Sequence, residues 1–136
     1  MFWAIYGLQS IMRILIDDNP ATYQIISVTA DYIQVNDQKL TTPFILSASQ
    51  LVPWKEITSF EQLLPQNFDF LDSLSPPAEI VLLGTGATLK IPPDALLRSL
   101  YAKGIGVEFM DTRSACHTFS ILSSENRKVV GCFLIK

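Results

Sequence analysis

Residues 79–111 read EIVLLGTGATLKIPPDALLRSLYAKGIGVEFMD, and this stretch decides the fold. Glu79 to Leu83 is a short β-branched and leucine run ending in Gly84-Thr85-Gly86, the pattern of a strand covered on both faces. Pro92-Pro93 then opens a helix. Leu96, Leu97, Leu100 and Tyr101 fall at i, i+1, i+4 and i+5, Asp94 lies in the first turn, Lys103 in the last, and Gly104 closes it. Ile105 to Met110 is the next strand. Strand, helix, strand in this order predicts a parallel pair joined by a right-handed crossover.

Working outward, Thr112 to Leu122 has the spacing of a second helix. Lys128 to Ile135 (KVVGCFLI) is nearly continuous apolar chain, a third strand buried on both faces. Upstream, Thr22 to Pro53 is rich in β-branched and aromatic residues. Ile33-Gln34-Val35 and the stretch near Phe44-Ile45-Leu46 alternate with the period of half-buried antiparallel strands, and Thr29-Ala30-Asp31 and Asn36-Asp37 read as turns. Pro43 and Pro53 mark edges or strand ends, because a central ladder would lose a donor there. Two short helical pieces follow: Ser59 precedes Phe60 to Leu64, which Pro65 ends, and Asn67 precedes Phe68, Leu71 and Leu74 before Pro76-Pro77. The expected fold class is α/β or mixed α+β, in one domain without repeats or linkers.

The chain has 136 residues, of which 49% are hydrophobic and 17% charged, enough apolar content for one compact core. Ten lysines and arginines against thirteen aspartates and glutamates leave a net charge of −3. That balance lacks the cationic field that holds phosphate backbones, so no nucleic-acid partner is expected. The opening MFWAIYGLQSIM is apolar, yet it has no basic leader region and no small-residue cleavage site, and Arg13 and Asp17 follow at once. It is also shorter than the roughly 20 apolar residues a membrane helix needs. A soluble, cytoplasmic chain that does not span a membrane is expected. MRILID from Met12 is a cleaner strand-like beginning, so residues 1–11 are read as an upstream extension and 12–136 as the domain.

If the two parallel strands lie side by side, their carboxyl ends carry Gly84-Thr85-Gly86 and Asp111-Thr112-Arg113 on one rim, where open parallel sheets bind ligands. The second loop enters a helix whose first turn presents unpaired N–H groups, and Arg113 adds a full positive charge. A small anion could lodge there. Asp111, however, is the natural N-cap and would take those donors itself. Gly84-Thr85-Gly86 lacks the third glycine of a dinucleotide fingerprint, and its helix begins only after Pro92-Pro93; it is not a P-loop either. Glycines that permit φ > 0 and close backbone passage explain it better.

On the second helix Arg113, His117, Ser120 and Ser124 share one face, opposite Ala115, Phe119 and Leu122. The stripe holds a base and two hydroxyls, but nothing resembles the strained elbow of serine hydrolases, and a lone histidine on a polar face is ordinarily solvated. Cys116 and Cys132 lie in a helix and a buried strand. With no CxxC and one histidine, neither a metal site nor a cofactor is expected. Buried free thiols are the expected state, a Cys116–Cys132 disulfide the lesser alternative.

The run GIGVEFMDTRSACHTFSILSSENRKVVGCFLIK, preceded by EIVLLGTGATLKIPPDALLRSLYAKG, resembles the Mth-like family of small domains. The resemblance spans about Met12 to Lys136. Its most specific pieces are Leu83-Gly84-Thr85-Gly86, Gly104-Ile105-Gly106-Val107-Glu108, and Met110-Asp111-Thr112 followed by Ala115-Cys116. Where relatives show Thr-Tyr-Asn and Glu-Gly-Arg, this chain has Thr118-Phe119-Ser120 and Glu125-Asn126-Arg127; asparagine, like glycine, tolerates the left-handed region. The resemblance implies three layers: a mixed central sheet with helices on one side and an additional antiparallel strand layer. The family includes a mitochondrial complex I assembly factor and has no established reaction.

Two functions therefore compete. The first is a non-catalytic protein-interaction or complex-assembly module with a protein partner. The second is an enzyme or sensor that takes a small anionic ligand in a crevice formed by Gly84, Thr85, Gly86, Asp111, Thr112 and Arg113, with His117 beside it. A homo-oligomer is compatible with either.

Overall fold

The computed structural model describes residues 22–136; the expected start at Met12 and the extension 1–11 lie outside the described residues. Five short strands come first: β1 (Ile25–Val28), β2 (Ile33–Val35), β3 (Gln38–Leu40), β4 (Phe44–Leu46) and β5 (Leu51–Pro53). Two 3-10 segments follow, Phe60–Gln62 and Pro65–Ser73. Then come β6 (Ile80–Thr85), α1 (Asp94–Ala102), β7 (Gly106–Met110), α2 (Thr112–Ser124) and β8 (Val129–Leu134).

The antiparallel first half divides between two sheets. β1, β2 and β3 form a separate three-stranded sheet, whereas β4 and β5 join the main sheet, whose order is β5-β4-β8-β6-β7. β6 runs parallel to both β7 and β8, and β4 runs antiparallel to β8 with Phe44 opposite Phe133. The reversals between strands are the expected ones. Thr29 Oγ1 accepts the Asp31 and Tyr32 N–H groups, and Asn36 turns the β2–β3 hairpin at φ 51°. Pro53 lies on β5, an outer strand, where its missing donor costs nothing.

The three-layer, mixed-sheet α/β architecture is as expected, with one amendment to the placement of helices. They are shared between the two faces rather than gathered on one. β6-α1-β7 steps outward to the sheet edge, and β7-α2-β8 steps back past β6; right-handed crossovers in opposite directions put their helices on opposite faces. Val81, Leu83, Val130, Cys132 and Leu134 accordingly pack with Leu96 and Leu100 of α1 and with Trp54 and Phe68. Leu82, Val129 and Phe133 point the other way, to Ala115, Cys116 and Phe119 of α2 and to Ile33 and Val35 of the small sheet. Covered on both sides, β8 is buried at every residue. Its Phe133 is a hub of the second layer, with ring centroids 5.3 Å from Phe44 and 5.9 Å from Phe119.

Candidate functional site

β6 and β7 are neighbours and parallel, so Gly84-Thr85-Gly86 and Asp111-Thr112-Arg113 do emerge on one rim. The gap between them is closed. Thr112, the first residue of α2, is buried; its Oγ1 accepts the Gly86 N–H at 2.8 Å and donates to the Leu134 carbonyl, while its own N–H donates to the Gly86 carbonyl at 2.9 Å. Thr85 is buried as well. Its Oγ1 donates to the Thr88 carbonyl at 2.7 Å and accepts the Lys90 N–H, which folds the outgoing loop back on the strand end. A side chain on Gly84 would meet Thr112 Oγ1 at 2.9 Å, and Gly86 has φ +106° with the Lys136 backbone 3.0 Å from where a Cβ would stand. The two glycines permit close passage and a left-handed turn, not a phosphate cradle.

Asp111 caps α2. Its Oδ1 accepts the Ser114 N–H at 3.0 Å and its Oδ2 accepts the Ser114 hydroxyl at 2.8 Å, and these bonds hold the carboxyl below its ordinary range. The carboxylate therefore occupies the helix terminus where an anion would have to sit.

The seven expected residues thus do not line one crevice, because a packed threonine takes the space between the loops. Gly86, Asp111, Thr112 and Arg113 instead edge a depression of about 390 Å³ between this rim and the small sheet, opposite Val28, Thr29 and Ile33. Gly84 and Thr85 are buried and do not line it. His117 belongs elsewhere. The polar stripe of α2 turns outward, with Ala115 and Phe119 buried behind it, and Arg113, His117 and Ser120 face β1 across a groove of about 530 Å³. Among the described residues His117 makes no hydrogen bond or ion pair.

Sequence reading missed the other wall of that groove, Ile25 to Val28. Nothing local marks it: Ile26 is 58% exposed because the β1–β2 register slips between Ile25 and Ser27, and a slip of register leaves no sequence pattern. It also missed a third concavity, about 370 Å³, at the opposite rim, between Ser47–Gln50, the Ser73–Ala78 segment and Asn126–Val130. Arg127 is tied there to Glu79 at 2.8 Å, and that guanidinium lowers the Glu79 pKa.

The thiols are free and buried in different layers, Cys116 under α2 and Cys132 on the far face of β8. Burial pushes the Cys116 thiol up to about 12 and raises Cys132 too, so neither is a thiolate at neutral pH. No group of three or more histidine, cysteine, aspartate or glutamate side chains is placed to hold a metal among the described residues. Nor is any helix there long and apolar enough to cross a membrane.

Fold and site together define a three-layer α/β domain whose strand-end loops are locked to each other by their own side chains. Residues 25–134 match the family described as protein of unknown function (DUF498/DUF598), and the chain belongs to that family. It is 32% identical over 118 residues to the bovine NADH dehydrogenase [ubiquinone] 1 alpha subcomplex assembly factor 3, an alignment covering 87% of this chain and 63% of that protein. The chain therefore spans less than two thirds of that relative. The 13 kDa major membrane protein of Francisella tularensis subsp. holarctica (strain LVS) is 33% identical over 94 residues, 68% of this chain and 74% of that one. A Bordetella pertussis protein described as a Mth938-like domain superposes with a TM-score of 0.72 at 23% identity, over 84% of this chain and 86% of that chain, and so shares the fold.

Proposed function

We propose that this chain is a non-catalytic assembly module, which binds a protein partner and works on the aqueous side of a membrane-associated complex. The likeness to the bovine assembly factor, over most of this chain, carries the reading. The chemistry of the candidate site supports it. The thiols are raised by burial, and among the described residues the one acidic group lining the rim depression is spent on capping a helix and no carboxylate bonds to His117. What the rim does offer is apolar surface: Leu89 and Ile91, exposed at 58% and 75%, flank Lys90 on the loop leaving β6. Apolar side chains left exposed together are surface that a protein partner can cover.

The reading is tested by chemical crosslinking and affinity capture of the chain, at its native abundance, from membranes of its source. Reproducible recovery of one membrane-complex subunit or its assembly intermediate is the expected result. Repeated recovery of the chain alone would reject it. The small-anion alternative retains one supporting feature, the Arg113 guanidinium at the 390 Å³ depression. Thermal shifts with phosphorylated and carboxylated metabolites decide it, since a ligand at about 100 times its Kd stabilises by about 2.7 kcal/mol.

A further inference from the structure

The groove between β1 and α2 has the construction of a strand-acceptor site. Among the described residues β1 is the outermost strand of the small sheet and pairs with β2 alone, so its other edge carries main-chain N–H and C=O groups that no described strand takes up. The groove is lined by four consecutive residues, Ile25 to Val28. Side chains of a strand point alternately to its two faces, so a cavity that touches four in a row runs along the strand's edge. The pairing register with β2 slips between Ile25 and Ser27, and Ile26, in the slipped position, is largely exposed. Across the groove, Arg113, His117 and Ser120 stand at i, i+4 and i+7 on one face of α2. Among the described residues Arg113 is the one charged side chain lining the groove, and it has no ion-pair partner among them. The nearest acid in sequence, Asp111, is already bonded twice to Ser114.

We infer that this groove receives an extended, acidic segment of the protein partner, which adds as a strand along β1, covers Ile26 with an apolar side chain and sets a carboxylate against Arg113. The inference rests on the assembly-module reading and names its docking surface. Main-chain pairing supplies affinity without regard to sequence, and the side chains at alternate positions supply choice. On a chain with a net charge of −3, a local cation bordered by hydroxyls and an imidazole selects a carboxylate-bearing strand over a basic one.

The test uses the full chain, isotopically labelled, titrated with a short capped peptide that alternates glutamate with valine, and separately with its lysine counterpart. Expected are amide shifts confined to residues 25–28 and 113–120 with the glutamate peptide only, weakened by salt. Arg113→Glu should reduce that affinity by about tenfold and admit the lysine peptide. No shifts at millimolar peptide, shifts centred elsewhere, or an unchanged response in Arg113→Glu would each overturn the inference. So would contacts between residues 1–21 and Ile26 in the free chain, which would give the groove to the chain itself. The affinity capture above, repeated with Arg113→Glu, separates the two ideas. Equal recovery of the partner by both proteins keeps the assembly reading and rejects the groove; recovery by wild type alone supports both. Recovery by neither rejects the assembly reading, and the peptide titration then judges the groove by itself.

Discussion

Thr112 and Gly86 hold each other by two hydrogen bonds, Gly86 N–H to Thr112 Oγ1 at 2.8 Å and Thr112 N–H to the Gly86 carbonyl at 2.9 Å. The same hydroxyl donates to the Leu134 carbonyl, so one buried side chain ties the ends of β6 and β8 to the start of α2. Thr112→Val keeps the shape and removes the hydroxyl. Gly86 N–H and Leu134 C=O then lose a partner in a place closed to water, at about 1–3 kcal/mol for each group left unsatisfied. The expected outcome is a loss of about 2–4 kcal/mol, read as a lower denaturant midpoint at unchanged m-value. A loss below about 0.5 kcal/mol would show that the clasp contributes little beyond shape.

Gly84→Ala attacks the same junction from the strand side. The added methyl would stand 2.9 Å from Thr112 Oγ1, 3.1 Å from Thr112 Cα and 3.2 Å from the Phe133 ring. One of these neighbours is backbone and another is a fully buried aromatic, so the contact is not relieved by a rotamer change. Overpacking of this kind costs about 1–3 kcal/mol. Combined with Thr112→Val the cost should be non-additive, since that substitution exchanges the hydroxyl Gly84 would press on; a double-mutant cycle measures the difference.

How much of this was legible depends on whether a feature is local. β6 and β8 were, because a strand covered on both faces must be apolar throughout, and α1 was, because Pro93, Leu96 and Leu100 set its start and its buried side. α2 extends past the expected Leu122 to Ser124; two serines disguise its last turn, where the Ser124 hydroxyl donates back to the Ile121 carbonyl. The second 3-10 segment begins at Pro65, which was read as the end of the first piece; proline serves at the first position of a helical turn as well as after one. The division of the first half into two sheets was not legible, since it rests on β4 pairing with β8, a contact far along the chain that leaves no local mark. At the site, the shared rim followed from the crossover rule. Its closure did not, because it depends on one rotamer of Thr112 and a carbonyl from a third strand. Asn126 is the reverse case: its φ of +64° lies in the left-handed region that asparagine tolerates better than most residues, as its residue type suggested.

Asp111 gives a pH-dependent prediction. Its carboxyl is held below the ordinary range in the folded chain, chiefly by the Ser114 N–H and then by the Ser114 hydroxyl. A depressed folded pKa means that the stabilisation is fully present above the unfolded value, about 3.9, and is lost as pH falls through the folded one. Asp111→Ala should therefore cost about 1 kcal/mol at neutral pH, the usual price of a lost N-cap, and the gap from wild type should narrow below about pH 4. Denaturant melts of the two proteins at neutral and strongly acidic pH check it. A gap independent of pH would mean that the carboxylate's charge is not what holds the turn.

The thiols test the burial assignment and the non-catalytic reading together. Cys116 faces Phe119 and the small sheet's apolar layer, and desolvation there outweighs the nearby Arg113 charge and sets its pKa at about 12. Cys132 is fully buried in the opposite layer, and its thiol is raised for the same reason. Attack on a disulfide reagent requires the thiolate and access to it, and native packing denies both. In the folded protein at mildly alkaline pH both cysteines should therefore react only as fast as the chain opens, and in strong denaturant both should react at once. Thr112→Val, by weakening the junction that closes the sheet end, should speed the native-state reaction of both thiols if it proceeds by global unfolding, or of one alone if that layer opens separately. Rapid labelling of Cys116 in the intact wild type would place an exposed, reactive thiol beside His117 and remove the main chemical argument against catalysis on α2.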